Sequence, residues 1–316
     1  MLTRPFTDED YAEISRISNA AFPDYPSSPV EIKFRDTHRD PKCLQARWIA
    51  EDNGMAVGFG EYGQRANAYH PRRFHLDVTV QPSHQGQGFG KALYDQILQA
   101  LSEFNPLSVR TMTREDMPRP LRFLKERGFT EDMRTFESRL AVAAFDPAPY
   151  VDADARVTSQ GITFKTLREL EHLPGHTQKH FELSQELNAD VPSPDPHTPM
   201  EKDVWRRRFM ENPNLLPDAY LFAVHGDAYV GVTMLFSSQG NTNLYTGLTA
   251  VKREYRRKGI ALALKLRAIA WAKAQGHPLI KTWNESNNRG MLGINEQLGF
   301  VRQPAWLDMV KTLAVE

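Results

Sequence analysis

The chain has 316 residues with 39 basic and 39 acidic side chains, so its formal net charge at pH 7 is zero. This length suits two domains of ordinary size, and 41% apolar with 25% charged residues is a globular composition. A neutral chain has no overall field that would attract nucleic acid or an anionic membrane. Cys43 is the single cysteine, which excludes an intramolecular disulfide and argues against a zinc cluster.

The first residues of the chain do not resemble a targeting segment. They lack a charged region followed by an apolar core, and no window of the sequence approaches a membrane-spanning apolar run. With no disulfide to protect, the chain is expected to be cytoplasmic.

The first half of the sequence predicts a strand, a helical region, a hairpin and then a glycine-rich loop. Thr7 precedes a helix whose first turn carries Asp10 three residues later, which is typical of a helix start. After the loop, Leu93, Ile97, Leu101 and Phe104 form the apolar stripe of an amphipathic helix. The predicted strands are residues 2–6, 46–50, 55–62, 74–80 and 107–112.

The second half repeats this order. Thr166 and Glu169 form a capping-box pattern, and Leu262, Leu266 and Ile269 are assigned to the apolar stripe of the helix after the second loop. Gly247 lies inside a strand and could mark a β-bulge. The predicted strands are residues 162–165, 221–224, 229–236, 244–251 and 279–283.

Two landmarks recur at one offset along the chain. The pair Gly88 and Gly259, and the pair Gly128-Phe129 and Gly299-Phe300, are each 171 residues apart. Two landmarks at one spacing indicate two copies of one α/β domain, each a mixed central sheet flanked by helices. The predicted domains are residues 1–144 and 159–316, joined by a Pro-rich and acidic linker at 145–158. A second Pro-rich stretch, 191–199, is expected to be a surface loop that could cover a substrate.

The repeated loop is suited to binding a pyrophosphate. Each copy leads from a strand end into a helix, where unpaired backbone N–H groups and the helix dipole favour an anion. Glycines allow a phosphate to approach the backbone closely, and basic side chains add cationic donors. The predicted cofactor-binding residues of the first copy are Val80, Gln85, Gly86, Gln87, Gly88, Phe89, Gly90 and Lys91. Those of the second copy are Thr249, Val251, Arg256, Arg257, Lys258, Gly259, Ile260, Ala261, Asn284 and Asn287.

Other interpretations of this loop fit less well. A glycine-rich turn without a ligand would explain one copy more easily than two in matching contexts. A dinucleotide-binding fold would place the loop after the first strand, whereas here it follows the fourth strand of each repeat. A kinase-type P-loop ends in Gly-Lys-Ser/Thr, and neither copy does.

The two loops resemble the signature of the GNAT acyltransferase superfamily, Gln/Arg-x-x-Gly-x-Gly/Ala. Gln85-x-x-Gly88-x-Gly90 and Arg256-x-x-Gly259-x-Ala261 both match it, and the Gly-Phe elements match the family's closing helix-Gly-Phe element in both halves. The resemblance spans nearly the whole chain and implies a tandem GNAT architecture, as also found in mycothiol synthase. It further implies that acetyl-CoA is the cofactor, that each loop binds its pyrophosphate, and that a backbone N–H near Val80 or Val251 polarises the thioester carbonyl.

The residues expected for acid–base chemistry depart from the family pattern. Many members have a tyrosine five residues before the Phe of Gly-Phe, where it protonates the leaving thiolate; here Leu124 and Asn295 occupy those positions. Asn295 can donate a hydrogen bond but is not an acid. Tyr245, on the acceptor side, and Glu285, acting through water, are the other catalytic candidates in the second repeat, although a core tyrosine and an exposed loop glutamate remain open.

In the first repeat, His75 and Asp77 share a strand face, but such a histidine is more often an ordinary sheet residue. The sequence therefore predicts acetyl transfer from acetyl-CoA to a primary amine of a small molecule. No metal, nucleic acid or membrane partner is expected. Two alternatives remain: acetylation of the amine of a thiol metabolite, and a non-catalytic module that binds acyl-CoA. The acceptor cannot be identified from the sequence.

Overall fold

The computed structural model describes residues 2–314, which fold into two compact units. Within these residues, unit 1 contains 2–134, 193–200 and 305–314, and unit 2 contains 135–192 and 201–304. The segment predicted as a linker, 145–158, belongs to unit 2 and includes a short helix at Ala153–Thr158. The predicted bounds 1–144 and 159–316 therefore describe the sequence repeats, whereas the compact units are divided differently.

Unit 1 has a mixed sheet with helices on both faces. Its strands follow the order β1-β2-β3-β4-β5-β13, in which β4 and β5 are parallel and the other neighbours antiparallel. The strands are β1 (Leu2–Pro5), β2 (Gln45–Asp52), β3 (Met55–Gly63), β4 (Arg73–Val80), β5 (Ser108–Arg114) and β13 (Trp306–Thr312). The helices are α1 (Tyr11–Ala21), α2 (Pro29–Thr37), α3 (Phe89–Leu101) and α4 (Pro118–Lys125).

The core of unit 1 forms on both faces of its sheet, because side chains of a strand alternate between the faces. Ile14, Ile32 and Phe59 pack together on the face covered by α1 and α2. Val80 and Leu93 pack on the opposite face, under α3. The apolar stripe predicted for α3 is confirmed at Leu93, Ile97 and Leu101, each fully buried.

Unit 2 repeats the arrangement. Its strand order is β6-β11-β10-β9-β8-β7, with β12 also paired to β6, and β10 and β11 are the parallel pair. The strands are β6 (Thr130–Ala141), β7 (Ile162–Thr166), β8 (Leu215–His225), β9 (Ala228–Phe236), β10 (Leu244–Val251), β11 (Leu279–Glu285) and β12 (Val301–Arg302). The helices are α5 (Ala153–Thr158), α6 (Leu167–Leu170), α7 (His176–Asn188), α8 (Lys202–Trp205), α9 (Ile260–Ala274) and α10 (Arg289–Gln297).

The closing strand of each repeat pairs with an unexpected partner. Residues 135–141 of β6, which end the first repeat, belong to unit 2 and pair with β11. Strand β13, which ends the second repeat, belongs to unit 1 and pairs with β5. The Pro-rich stretch also contributes to unit 1, where Asp195 forms ion pairs with Arg73 and Arg110. Each compact unit thus includes a strand that belongs, by sequence, to the other repeat.

The described residues contain neither a membrane-spanning helix nor a cluster of metal ligands. Among residues 2–314, no helix combines the length and apolar character needed to cross a membrane. Within the same residues, no group of three or more His, Cys, Asp or Glu side chains is arranged to hold a metal ion.

Candidate active site in unit 2

The parallel strands β10 and β11 separate towards their carboxyl ends. They pair only at Leu244 with Ile280 and at Tyr245 with Lys281, although both strands continue beyond these residues. In unit 1, β4 and β5 pair only over 73–75 and 108–110. Backbone groups that face the opening between the strands are therefore available to a ligand, because a strand leaves them unpaired where its neighbour diverges.

A β-bulge lies at the start of this opening in unit 2. The register between β10 and β9 shifts between Thr246 and Leu248, which confirms the bulge that Gly247 suggested. A Cβ atom added at Gly247 would come within 2.4 Å of Phe236 and 2.9 Å of Met234, so only glycine fits without displacing neighbours. The bulge also changes which face each later residue of β10 occupies.

A pocket of about 910 Å³ occupies the opening between β10 and β11. The phosphate loop, the first turns of α9, and α10 line one part of it, and residues 187 and 190–192 line another. Of the sequence-predicted residues, the lining includes Thr249, Val251, Arg256, Arg257, Gly259, Ile260, Ala261, Asn284, Glu285 and Asn287. The predicted second-copy residues are thus brought together at one pocket, with Lys258, Tyr245 and Asn295 outside its lining.

Both loops end in a left-handed glycine that starts a helix. Gly88 has φ +95° and precedes α3, and Gly259 has φ +82° and precedes α9. The first backbone bonds across these helix starts run from Ala92 N to Gly88 O and from Ala263 N to Gly259 O, both 3.0 Å. The N–H groups of the three residues before each of these donors have no partner inside the helix, so they are free to bind an anion.

The left-handed backbone recurs two residues before each of these glycines. Gly86 has φ +83°, and Arg257, at the same offset in the second repeat, has φ +64°. A non-glycine residue rarely adopts this conformation, and doing so at a binding loop is a sign of function. In the first loop, the guanidinium of Arg119 lies 3.3 Å from where a Cβ of Gly86 would be. Arg119, on α4, is therefore a cation beside the first loop that the sequence pattern did not reveal.

The other cations predicted to face the phosphates differ in their surroundings. Lys91 forms a 2.6 Å ion pair with Asp95 on the same helix, and the Lys258 ammonium lies over the Tyr255 ring. Arg256 and Arg253 both pair with the carboxylate of Asp190, and this hydrogen bonding lowers the pKa of Asp190 to about 2. The Asp190 carboxylate is therefore neutralised by two arginines and is not available to attract an amine.

Asn295, at the position of the family tyrosine, is held inside the protein. Its side chain is 1% exposed, and its Nδ2 donates a 2.7 Å hydrogen bond to Oδ1 of Asn284. Asn284 lies at the end of β11 and lines the pocket. Asn295 therefore orients a pocket residue and does not face the pocket itself.

Glu285 and Asn287 form a local turn at the pocket rim. The Glu285 carboxylate accepts hydrogen bonds from the Ser286 hydroxyl and the Asn287 backbone N–H, both at 2.8 Å, and a third from the Asn287 side chain. Asn288 then caps α10 by accepting from Met291 N. These contacts give Glu285 a structural role in its own turn.

Tyr245 lies on the face of the sheet that carries α7. Its ring stacks on Trp283 with the ring centroids 6.0 Å apart, and its hydroxyl accepts a hydrogen bond from Asn241. Regular alternation would place Tyr245 on one face with Thr249 and Val251, but the bulge at Gly247 reverses the parity and separates them.

Three titratable residues lie in or near the two parallel strand pairs. Lys265, on α9, lines the unit 2 pocket at 4% exposure. In unit 1, Asp77 lies opposite Glu61 on the neighbouring strand, and burial together with Glu61 raises the pKa of Asp77 to about 7. Burial lowers the pKa of His75 to about 4, so His75 is a neutral sheet residue near pH 7 and a weak base.

Comparison with known proteins agrees with this geometry. The family model described as the acetyltransferase (GNAT) family matches residues 11–129 and 181–300, which together cover well over half of the chain. The chain therefore belongs to the GNAT family and is a tandem member with two GNAT-type domains. This confirms the predicted α/β fold class and supports acyl transfer as the general activity.

Similar solved structures show the same fold along the whole chain. A GCN5-related N-acetyltransferase from Sphaerobacter thermophilus is 18% identical, with TM-score 0.71 over 99% of this chain and 96% of that one. A tandem GNAT protein from the clavulanic acid biosynthesis pathway is 17% identical, with TM-score 0.73 over 100% and 99%. A putative acetyltransferase from Pyrococcus horikoshii is 13% identical, with TM-score 0.59 over 100% and 90%. No curated protein sequence matches the chain.

Proposed function

We propose that unit 2 transfers the acetyl group of acetyl-CoA to a primary amine of a small molecule. The observation that carries the proposal is the 910 Å³ pocket, which joins an anion-binding helix start to the opening between β10 and β11. The pyrophosphate would lie on the N–H groups at the start of α9, with Arg257 beside it. The pantetheine arm would enter the opening, where Asn284 and unpaired backbone groups of β10 and β11 can bond its amides.

Acyl transfer at this site requires positioning more than covalent catalysis. The amine nitrogen attacks the thioester carbon, an oxyanion forms, and the C–S bond then breaks. A backbone N–H of β10 in the opening would stabilise the oxyanion. The acceptor would approach past Leu187, Val191, Thr246 and Leu248, which also line the pocket.

A panel of amines tests the proposal. Each amine is incubated with acetyl-CoA and the full chain, and release of free CoA thiol is followed over the rate without amine. The panel should contain simple primary amines, amino sugars and aminothiols, with matched secondary and tertiary amines as controls. Amine-dependent thiol release with a mass increase of one acetyl group on the amine supports the proposal. Binding of acetyl-CoA without turnover of any amine would instead favour a binding module.

A non-catalytic role is supported for unit 1 by one observation. Leu124 stands where the family tyrosine would be and is 7% exposed, so it offers neither a proton nor a hydrogen bond. Unit 1 retains the left-handed glycines of its loop and a neighbouring cation, Arg119. We therefore propose that unit 1 binds cofactor or supports the fold, and that turnover belongs to unit 2.

A further inference from the structure

Lys265 is a buried lysine in the wall of the unit 2 pocket. It lies on α9, six residues after Gly259, and is 4% exposed although it lines the pocket. Its neighbours Leu264 and Ala268 belong to the core beneath the helix. The ammonium lies 5.1 Å from the centre of the Phe300 ring, which provides a cation–π contact.

No carboxylate neutralises this ammonium. Among residues 2–314, no ion pair and no hydrogen bond is found for the Lys265 side chain. The other ionisable groups that line the pocket are Asp190, Tyr255, Arg256, Arg257 and Glu285. The carboxylate of Asp190 is bound to two arginines and that of Glu285 to its own turn. Burial without a counter-charge disfavours the ammonium and lowers the pKa of Lys265 to about 8.

A buried and unpaired lysine in a pocket wall is costly, so it calls for a ligand that offsets the cost. A carboxylate partner would have been the simplest structural solution, and the described residues do not provide one. The missing partner would then be a negative charge that arrives with the ligand or develops during the reaction.

The tyrosine that protonates the leaving thiolate in many members of the family is replaced here by Asn295. Asn295 is not an acid, and its Nδ2 is committed to Asn284. The helices α9 and α10, which carry Lys265 and Asn295, pack in one core cluster through Leu264, Ile294 and Leu298. Lys265 is thus the one buried ammonium among the described residues that line the pocket.

We propose that Lys265, in its ammonium form, donates the proton to the CoA thiolate when the acyl group leaves. This inference rests on the proposed acetyltransferase function. As the tetrahedral intermediate collapses, the C–S bond breaks and its electron pair stays on sulfur. One N–H bond of Lys265 then breaks as the proton moves to sulfur, giving CoA thiol and a neutral amine. The acceptor nitrogen releases its own extra proton to solvent, and Lys265 recovers a proton from solvent, so charge and atoms balance.

The acidity of Lys265 matches this task. Alkyl thiols such as cysteine have pKa values of about 8.5, close to the value of about 8 for Lys265. A proton donor works best when its pKa lies near that of the group it protonates and near the working pH. Before transfer, the same ammonium would stabilise the developing thiolate by its charge alone.

The first repeat provides a matched control. The residue 171 positions before Lys265 is Tyr94, on α3. Its hydroxyl accepts a 3.3 Å hydrogen bond from Lys311, and the Arg127 guanidinium lies over its ring. Tyr94→Phe changes the corresponding position of unit 1 without adding or removing a charge.

The experiment measures the acidity of the thiol of CoA bound to the full chain, by ultraviolet thiolate absorbance against pH. The parent is compared with Lys265→Met, Lys265→Arg and Tyr94→Phe, and Cys43 is corrected for with ligand-free protein. The bound thiol should be more acidic in the parent than in free CoA. Lys265→Met should raise the pKa of the bound thiol by about 1 unit. Lys265→Arg and Tyr94→Phe should leave the pKa of the thiol unchanged.

The kinetic arm separates charge from proton donation. Lys265→Arg keeps the charge but holds its proton, so it should lower kcat by about 10²-fold while the Kd for CoA stays within about threefold. An unchanged thiol pKa in Lys265→Met, or an unchanged kcat in Lys265→Arg, would overturn the role of Lys265. Should Lys265→Met not fold, Lys265→Arg alone decides. Absence of CoA binding by the parent would instead overturn the proposed function, and the inference with it.

Discussion

In unit 2, the Nε of Arg256 donates a 3.0 Å hydrogen bond to the carbonyl oxygen of Val251, the last residue of β10. Unit 1 repeats this contact, since Nε2 of Gln85 donates to the carbonyl oxygen of Val80 at 3.0 Å. The first polar residue of the loop motif therefore folds the loop back onto its own strand. We therefore expect this contact to contribute more to cofactor binding than the charge of the residue does.

This contact predicts that glutamine can replace arginine at position 256. Arg256→Gln keeps a donor for the Val251 carbonyl, as Gln85 does in unit 1, and should leave the Kd for CoA within about threefold. Arg256→Ala loses the bond that orders the loop, which is worth about 1 kcal/mol or more, and should weaken CoA binding about tenfold. Calorimetric titration of both variants measures the difference. Equal losses would show that the charge of Arg256, and not its loop contact, matters.

Asp190 places a negative charge beside the proposed pyrophosphate site. Asp190→Asn removes that charge and releases Arg253 and Arg256, so it should tighten CoA binding several-fold at low ionic strength, with less effect at high salt. Glu186→Gln, which removes a carboxylate paired with Lys252 at 2.8 Å, is the matched control. Weaker CoA binding by Asp190→Asn would mean that Asp190 is needed to hold the arginines in place.

The same aspartate predicts a pH dependence of stability. Its pKa is lowered to about 2 in the folded protein, so its pairing stabilises the fold fully above the unfolded value of about 3.9. That stabilisation is lost as the pH falls from about 4 towards 2. The free energy of unfolding should therefore fall more steeply in this range for the parent than for Asp190→Asn. Parallel curves for the two proteins would contradict the assignment.

Replacing Arg257 should weaken CoA binding without changing the stability of the fold. Arg257→Gly removes a cation at the loop but allows the left-handed backbone that Gly86 adopts in unit 1. Relief of backbone strain stabilises the fold by about 1 kcal/mol. The added flexibility of the unfolded chain destabilises the fold by about the same amount. The free energy of unfolding should change little, while the Kd for CoA should rise about tenfold. A large loss of stability with unchanged binding would contradict this account.

Adding a single methyl group at Gly247 should destabilise the fold. Gly247→Ala should lower the free energy of unfolding by about 1–3 kcal/mol, because its Cβ would overlap Phe236 and Met234. Gly293→Ala is the matched control, since no atom lies within 4 Å of its added Cβ and it lies inside α10. This control should be neutral or stabilising by up to about 1 kcal/mol. Denaturant unfolding of both variants checks the pair.

Local patterns in the sequence predicted the elements and both loops well. The capping box at Thr166 and Glu169 is present, with hydrogen bonds of 3.1 Å and 2.7 Å, because such contacts depend on residues close in the chain. Strand partners could not be predicted in the same way. The partners of β6 and β13 depend on contacts far along the chain, which no local pattern encodes.

The buried face of α9 was predicted correctly at Ile269, which is 1% exposed, and missed elsewhere for a physical reason. The helix is apolar nearly all round, so its sequence does not single out one stripe, and Leu262 and Leu266 are only partly buried. The buried face instead includes Ala263, Leu264 and Lys265. Because lysine is almost never fully buried, a pattern-based interpretation places it in solvent.

The loop of unit 2 is proposed to bind the pyrophosphate of a cofactor used for turnover. The positive φ of Gly88 and Gly259 means that a side chain there would strain the backbone, so those positions are poor probes. Gly90 and Ala261, two residues further on in α3 and α9, are better, since a Cβ at Gly90 meets only ordinary contacts at 3.8 Å and 3.9 Å. Glutamate at either site would place a negative charge at the helix start.

Calorimetric titration with acetyl-CoA and the amine-dependent turnover of Gly90→Glu and Ala261→Glu therefore test this role of the loop. The parent should bind acetyl-CoA more tightly than NAD or ATP, and Ala261→Glu should lose most affinity at one site together with nearly all turnover. Gly90→Glu should keep turnover. No binding at millimolar acetyl-CoA by the parent, or loss of turnover only in Gly90→Glu, would contradict this role.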